Sequence, residues 1–156
     1  MTTDLTTERL DDPTCELAAS APIAEAIDRA AALFGDSFHG IVLYGSSARG
    51  EMREGSDIDL LIVLDPTIPL NRSLYRVWDE RPSAWRGRRV EVHFAHLPPA
   101  GARLSGFWAE IARDGIVLHE CGAAISDRLS ELRRELRSGR LERRTSHGQP
   151  CWLDAA

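Results

Sequence analysis

Lysine is missing from this chain: all 19 basic residues are arginine. A Walker-type phosphate loop, a protein-kinase strand lysine and a Schiff-base or pyridoxal-phosphate centre each need an amine, so all three are excluded. Cysteine is scarce. Cys15, Cys121 and Cys151 are odd in number and widely spaced, with no CxxC or Cys/His ligand pattern, so a reduced, cytoplasmic protein is the simplest reading. No excess of positive charge exists either; a net charge of −5 argues against a nucleic-acid binder with an overall basic surface. No apolar run is long enough to cross a bilayer, and "MTTDLTTERLDD" lacks the basic start and greasy centre of a signal peptide. What is present is ordinary for a globular domain: 156 residues, 43% apolar and 28% charged, enough for one core with a short extension.

Read along the chain, residues 1–20 are polar and rich in turn formers, an N-terminal arm. "PIAEAIDRAAALFG" (22–35) predicts a helix with Pro22 in its first turn and Gly35 as its stop; Ile23, Ala24, Ile27, Ala30, Ala31 and Phe34 share a face. "HGIVLYG" is a buried strand, residues 46–52 start a short helix, and "DIDLLIVL" is a second strand. "NRSLYRVWDERPSAW" reads as a helix broken near Pro82, "RRVEVHFAHL" as a strand, "GARLSGFWAEIARDG" as a helix, "IVLHE" as a strand and "AISDRLSELRRELRSG" (124–139) as a helix. Trp78, Trp85 and Trp108 are expected in the core or at its rim. The tail carries turn signals and Trp152. The fold class is α/β, shading into α+β. About ten residues join the first two strands, too few for a comfortable parallel crossover, so a small mixed sheet flanked by helices is expected. The division is arm 1–20, main domain 21–121, and C-terminal helix and tail 122–156.

Asp57 and Asp59 open an otherwise greasy strand. Side chains two apart point to one face, so the two carboxylates project together while Ile58 faces the opposite layer. Either they end a strand in solvent or a cation sits between them, because two half-buried negative charges repel. Hard oxygen donors suit Mg²⁺. Upstream, Gly45 ends one strand and Ser46 and Ser47 open what reads as a helix. Amide groups at a helix start attract phosphate, a serine hydroxyl can donate to it, and Arg49 can add a guanidinium; the plainer alternatives are a helix cap and a solvated charge. In "RRVEVHF" the apolar set Val90, Val92 and Phe94 leaves Glu91 and His93 together on the other face. If that strand neighbours the second, Glu91 reaches the aspartates. His93 reads first as a structural or rim histidine.

These residues resemble a known family. "GS", ten residues, then "DID" is similar to the signature of the nucleotidyltransferase superfamily related to DNA polymerase β, and "GSSARGEMREGSDIDLLIV" looks like its minimal (MNT) members. The resemblance runs from about residue 22 to 120. It implies Gly45 and Ser46 at the triphosphate, with Arg49 beside them on its charge alone, Asp57, Asp59 and Glu91 as metal ligands and catalytic acids, two Mg²⁺ ions, ATP as substrate and attack of a hydroxyl on the α-phosphate. Glu stands where Asp is more usual for the third acid. Several minimal members are antitoxins that transfer AMP to a tyrosine of a HEPN-domain toxin, so a toxin partner is expected; a small-molecule acceptor such as an aminoglycoside and a purely binding antitoxin are the alternatives. The resemblance leaves room for a homo-oligomer, and the arginine-rich helix and tail serve as a solvated face or as a surface for an acidic partner or RNA.

Overall fold

The computed structural model describes residues 12–154. Most of the expected arm therefore lies outside the described residues, but its end is a helix, α1 (Pro13–Ala18). Asp12 caps it, accepting from the Thr14 N–H at 3.0 Å, and Leu17 is buried. In α2 (Ala21–Phe34) the inward stripe is Ile23, Ala26 and Ala30, with Ile27 and Phe34 partly covered. Ala24 and Ala31, expected inside, face solvent. The i, i+3, i+4, i+7 rows of a helix select 23, 26, 27, 30 and 34, and the small alanines gave no sign of which side of that stripe they flank.

Five strands form one sheet in the order β3-β4-β2-β1-β5. They are β1 (Phe38–Tyr44), β2 (Ile58–Leu64), β3 (Ser83–Trp85), β4 (Arg88–Ala95) and β5 (Ile116–Glu120). β1 runs antiparallel to β2 and β5, β3 runs antiparallel to β4, and only β2 and β4 are parallel. The sheet is mixed, as expected. Helices cover both faces. On one, Ile41, Leu43, Ile58, Leu60, Ile62 and Phe94 pack with α2 and α3 (Arg72–Asp79). On the other, Val42, Leu61, Val63 and Ala95 pack with α4 (Gly106–Asp114) and α5 (Ala124–Arg137). β2 is thus buried on both sides, which is why its sequence is continuously apolar rather than alternating.

Several boundaries correct the sequence reading. Residues 46–52 form no α-helix; a single 3₁₀ turn spans Gly45–Ser47, and the chain then loops to β2. The helix expected to break near Pro82 does so, stopping at Asp79, but residues 83–85, read as part of it, are the strand β3, hairpinned to β4. Pro82 withholds an N–H and biases Arg81 towards extended backbone, so the helix ends before it. α4 begins at Gly106 rather than near residue 101, because Ser105 is its cap and accepts from the Trp108 N–H at 3.3 Å.

The tail is also ordered into strands, as a hairpin of β6 (Leu141–Ser146) and β7 (Gln149–Asp154). His147 and Gly148 turn it, both at positive φ (51° and 78°), as a two-residue hairpin loop needs. The hairpin docks on α4: the Trp152 Nε1–H and the Arg143 Nε–H both donate to Glu110 Oε1 at 2.8 Å. Burial works to raise the Glu110 carboxyl's proton affinity, but the bonds from Arg143 and Trp152 outweigh it and hold it below the ordinary range. Part of the basic surface is therefore used internally. Arg133 donates to the carbonyls of Ala112 and Gly115, closing the end of α4, and Arg144 pairs with Glu142.

Candidate active site

Strand pairing assembles the site. Tyr44 lies opposite Asp59 in the β1–β2 ladder, and Asp59 lies level with Glu91 in the parallel β2–β4 ladder. Level residues on adjacent strands point to the same face, about 5 Å apart. Asp59 and Glu91 therefore stand side by side on the α4/α5 face, and Leu61 pairs with His93 one step further along. An oxygen of Asp59, an oxygen of Glu91 and a ring nitrogen of His93 all lie within 4.8 Å of one another. Asp57 precedes the first residue of β2 and is not in that group; it stands close enough for its charge to act on Asp59.

The Gly-Ser turn meets the same carboxylate. Gly45 has φ +73°, and a Cβ added there would fall 2.5 Å from Asp59 Oδ2. The backbone conformation calls for glycine, and any Cβ there would make the Asp59 carboxylate turn aside. In a 3₁₀ turn the first amide groups have no partner within the turn, and the N–H groups of Ala48 and Arg49 return to the Gly45 carbonyl. The Ser47 hydroxyl is buried and donates to the Tyr44 carbonyl at 3.2 Å, so its role is to hold the turn. The Ser46 side chain is half-buried, and its hydroxyl has no partner among the described residues. Arg49 is committed to acids: its Nε–H donates to Glu51 at 2.9 Å, and its guanidinium lies 3.8 Å from Asp114 Oδ2, a buried oxygen with no hydrogen bond.

Charge in the cluster is unbalanced. Burial, then the neighbouring Glu91, raise the proton affinity of Asp59; His93 and Arg49 oppose this, and Asp57 adds to it. The same causes, burial first and then Asp59 and Glu91, push the Tyr44 phenol well above its ordinary value. Burial beside a second acid disfavours the charged carboxylate, and a bound cation would offset both effects. Two carboxylates and an imidazole form a donor set that fits a divalent cation.

His93, read from the sequence first as a structural or rim residue, lies with the two acids. Its ring packs edge-on to Tyr44, with centroids 6.0 Å apart, and Tyr44 packs likewise on the exposed Phe107 at 5.8 Å. Its place two residues after Glu91 was the available signal. On the far side of β4, beyond the end of β3, a cavity of ≈ 340 Å³ touches Tyr75, Arg81, Arg89, Glu91 and His93. A larger cavity of ≈ 520 Å³ lies between α2, α3 and the β3–β4 hairpin. The ligand-bearing face does not line it.

A mixed sheet that sets a Gly-Ser turn against an acid on the next strand, with a second acid level on the strand beyond, is the frame of a nucleotidyl-transferring domain. The chain belongs to that family: the model of the nucleotidyltransferase domain matches residues 25–111, more than half of the chain. No curated protein matches the sequence. Among solved structures, the chain is similar to one described as a toxin-antitoxin with AMP-PNP, at 16% identity and a TM-score of 0.45. It is similar also to a mutant of the toxin-antitoxin MntA-HpeT, at 12% identity and a TM-score of 0.44. Each match covers 73% of this chain and 86% of the other.

Proposed function

We propose that this nucleotidyltransferase domain transfers a nucleoside monophosphate, AMP from ATP, to a hydroxyl on another macromolecule, with a tyrosine of a HEPN-type toxin as the acceptor. The observation that carries the reading is the level pairing of Asp59 and Glu91 beside a turn whose glycine makes room for the acid. Gly45 and Ser46 would face the triphosphate, the turn's amides and the unpartnered Ser46 hydroxyl supplying donors. Asp59, Glu91 and Asp57 would hold divalent magnesium, which when bound neutralises phosphate charge and clamps the attacking and leaving oxygens. Glu91 would accept the proton of the incoming hydroxyl. Arg49 would serve the phosphates only after leaving Glu51, or else act at a distance through its charge.

Openness of the site supports a macromolecular acceptor. The side chains of Glu91 and His93 are 41% and 43% exposed, so a protruding hydroxyl can reach the acid without entering a closed pocket. Three free cysteines suit a reducing cytoplasmic setting, and no helix among the described residues is long and apolar enough to cross a membrane. The catalytic unit would span 21–121, followed by the terminal helix and tail.

The test is incubation with Mg²⁺, α-³²P-labelled nucleoside triphosphates and a co-expressed toxin. Label on a toxin tyrosine, lost in Asp59→Asn, is expected. Label on an aminoglycoside instead would replace the acceptor, and neutralisation of the toxin that survives Asp57→Ala with Asp59→Ala would replace catalysis by binding.

A further inference from the structure

The proposed chemistry assigns the metal to carboxylates, but the side chains that converge are two carboxylates and an imidazole. Ligand atoms about 2.0–2.3 Å from one cation end up roughly 3 Å apart. The Asp59, Glu91 and His93 atoms are already within 4.8 Å of one another. Glu91 and His93 are both over 40% exposed at their side chains, which leaves each free to rotate toward a shared cation. His93 Nε2 and Glu91 Oε1 are 4.0 Å apart, too far for a hydrogen bond, so no hydrogen bond between them occupies either atom. Tyr44, packed edge-on at 6.0 Å, limits how the His93 ring can turn away. Asp57 stands outside this set.

We propose that His93 Nε2 is a direct metal ligand beside Asp59 and Glu91, and that the site therefore prefers a first-row transition cation such as Mn²⁺ over Mg²⁺. An imidazole nitrogen is a borderline donor: Mg²⁺ favours oxygen and retains its waters, whereas transition cations accept nitrogen readily. The inference rests on the transferase reading for the site's purpose, but its content is coordination, which can be read without turnover.

The experiment loads the full-length protein with Mn²⁺, alone and with inorganic pyrophosphate, and records pulsed electron paramagnetic resonance. Directly coordinated ¹⁴N is expected in the wild type and absent in His93→Gln, with circular dichroism showing that the variant is folded. In calorimetric competition, Mn²⁺ should bind about tenfold or more tighter than Mg²⁺, and His93→Gln should shrink that ratio several-fold while changing Mg²⁺ affinity little. Mn²⁺ bound with no nitrogen coupling, coupling that persists in His93→Gln, or no bound Mn²⁺ even with pyrophosphate would each overturn the proposal. Nucleotidyl transfer without nitrogen coordination would leave the proposed function standing and sink this inference. Nitrogen coordination without transfer to any acceptor would do the reverse.

Discussion

Replacing Gly45 by alanine tests the link between the turn and the acid, because the two costs it incurs can be separated. The first is backbone strain: at φ +73° an L-residue gives up about 1–2 kcal/mol. The second is overlap: the new Cβ would stand 2.5 Å from Asp59 Oδ2, the rotatable end of a side chain, so turning it aside costs about 0.5–1.5 kcal/mol. Gly45→Ala should therefore destabilise the protein by about 1.5–3.5 kcal/mol. For a chain of this length each 1 kcal/mol moves Tm by about 2–4 °C, so a fall centred near ~7 °C is expected in a thermal melt. Asp59→Ala removes the carboxylate and with it the overlap but leaves the strain. A double-mutant cycle should thus return a coupling of about 0.5–1.5 kcal/mol between positions 45 and 59. The same Gly45→Ala protein should bind Mn²⁺ more weakly, since Asp59 must move. A cycle with no coupling, or unchanged metal affinity, would show that the acid is not seated against the turn and would refute the argument that joins the two halves of the motif.

Three further outcomes are expected. In metal-free buffer Asp59→Asn should raise stability at neutral pH by about 0.3–1 kcal/mol, the scale of a partly screened charge pair. Because the folded-state proton affinity of Asp59 is raised, its contribution is fully present below the ordinary carboxylate value and is lost as pH rises through the raised one. The advantage of Asn should therefore fade in acid, and a gain that grows on acidification in denaturation curves would contradict the sign. Tyr75→Phe removes the hydroxyl that accepts from the Phe94 N–H at 3.1 Å on the edge of β4; a loss of about 1–2 kcal/mol and faster exchange of that amide by NMR should follow, and unchanged exchange would dismiss the contact. Trp152→Ala should cost about 1–3 kcal/mol through lost packing and the lost bond to Glu110, read as a lower denaturation midpoint with earlier proteolysis of the hairpin, and an unmoved midpoint would place the hairpin off the domain.

The core was legible where apolar residues were dense. "DLLIVL" could hardly be anything but a strand covered on both faces, and "FWAEIARDG" carried its helix stop in Gly115. Legibility failed where local preference is weak and a partner decides. "SAW" is too short to declare itself and becomes a strand only because the Arg86–Gly87 turn folds it back on β4. "LERRTS" alternates charge with charge, so no apolar face marks its period; it is a strand because Trp152 and Arg143 lock it to Glu110. The His147–Gly148 pair was the one local clue, a two-residue turn between two stretches of equal length.

At the site, period-two spacing correctly put Glu91 and His93 on one face, because both lie within β4. For Asp57 and Asp59 the same rule meets a boundary: β2 begins at Ile58, one residue after Asp57, which still stands close enough for its charge to act on Asp59. What spacing could not supply was the partner strand. Only the parallel register between β2 and β4 brings Asp59 level with Glu91, and that register is set by packing of Ile58, Leu60, Ile62 and Phe94 on the opposite face. The acids are thus aligned by residues that never touch them. Moving one strand by a single residue would turn every one of those side chains to the wrong layer, so the fold cannot keep its core without also keeping the carboxylates together. Asp57 is free of that constraint. It stands one residue before β2, so its distance from the pair is set by the incoming loop and not by the packing of the core.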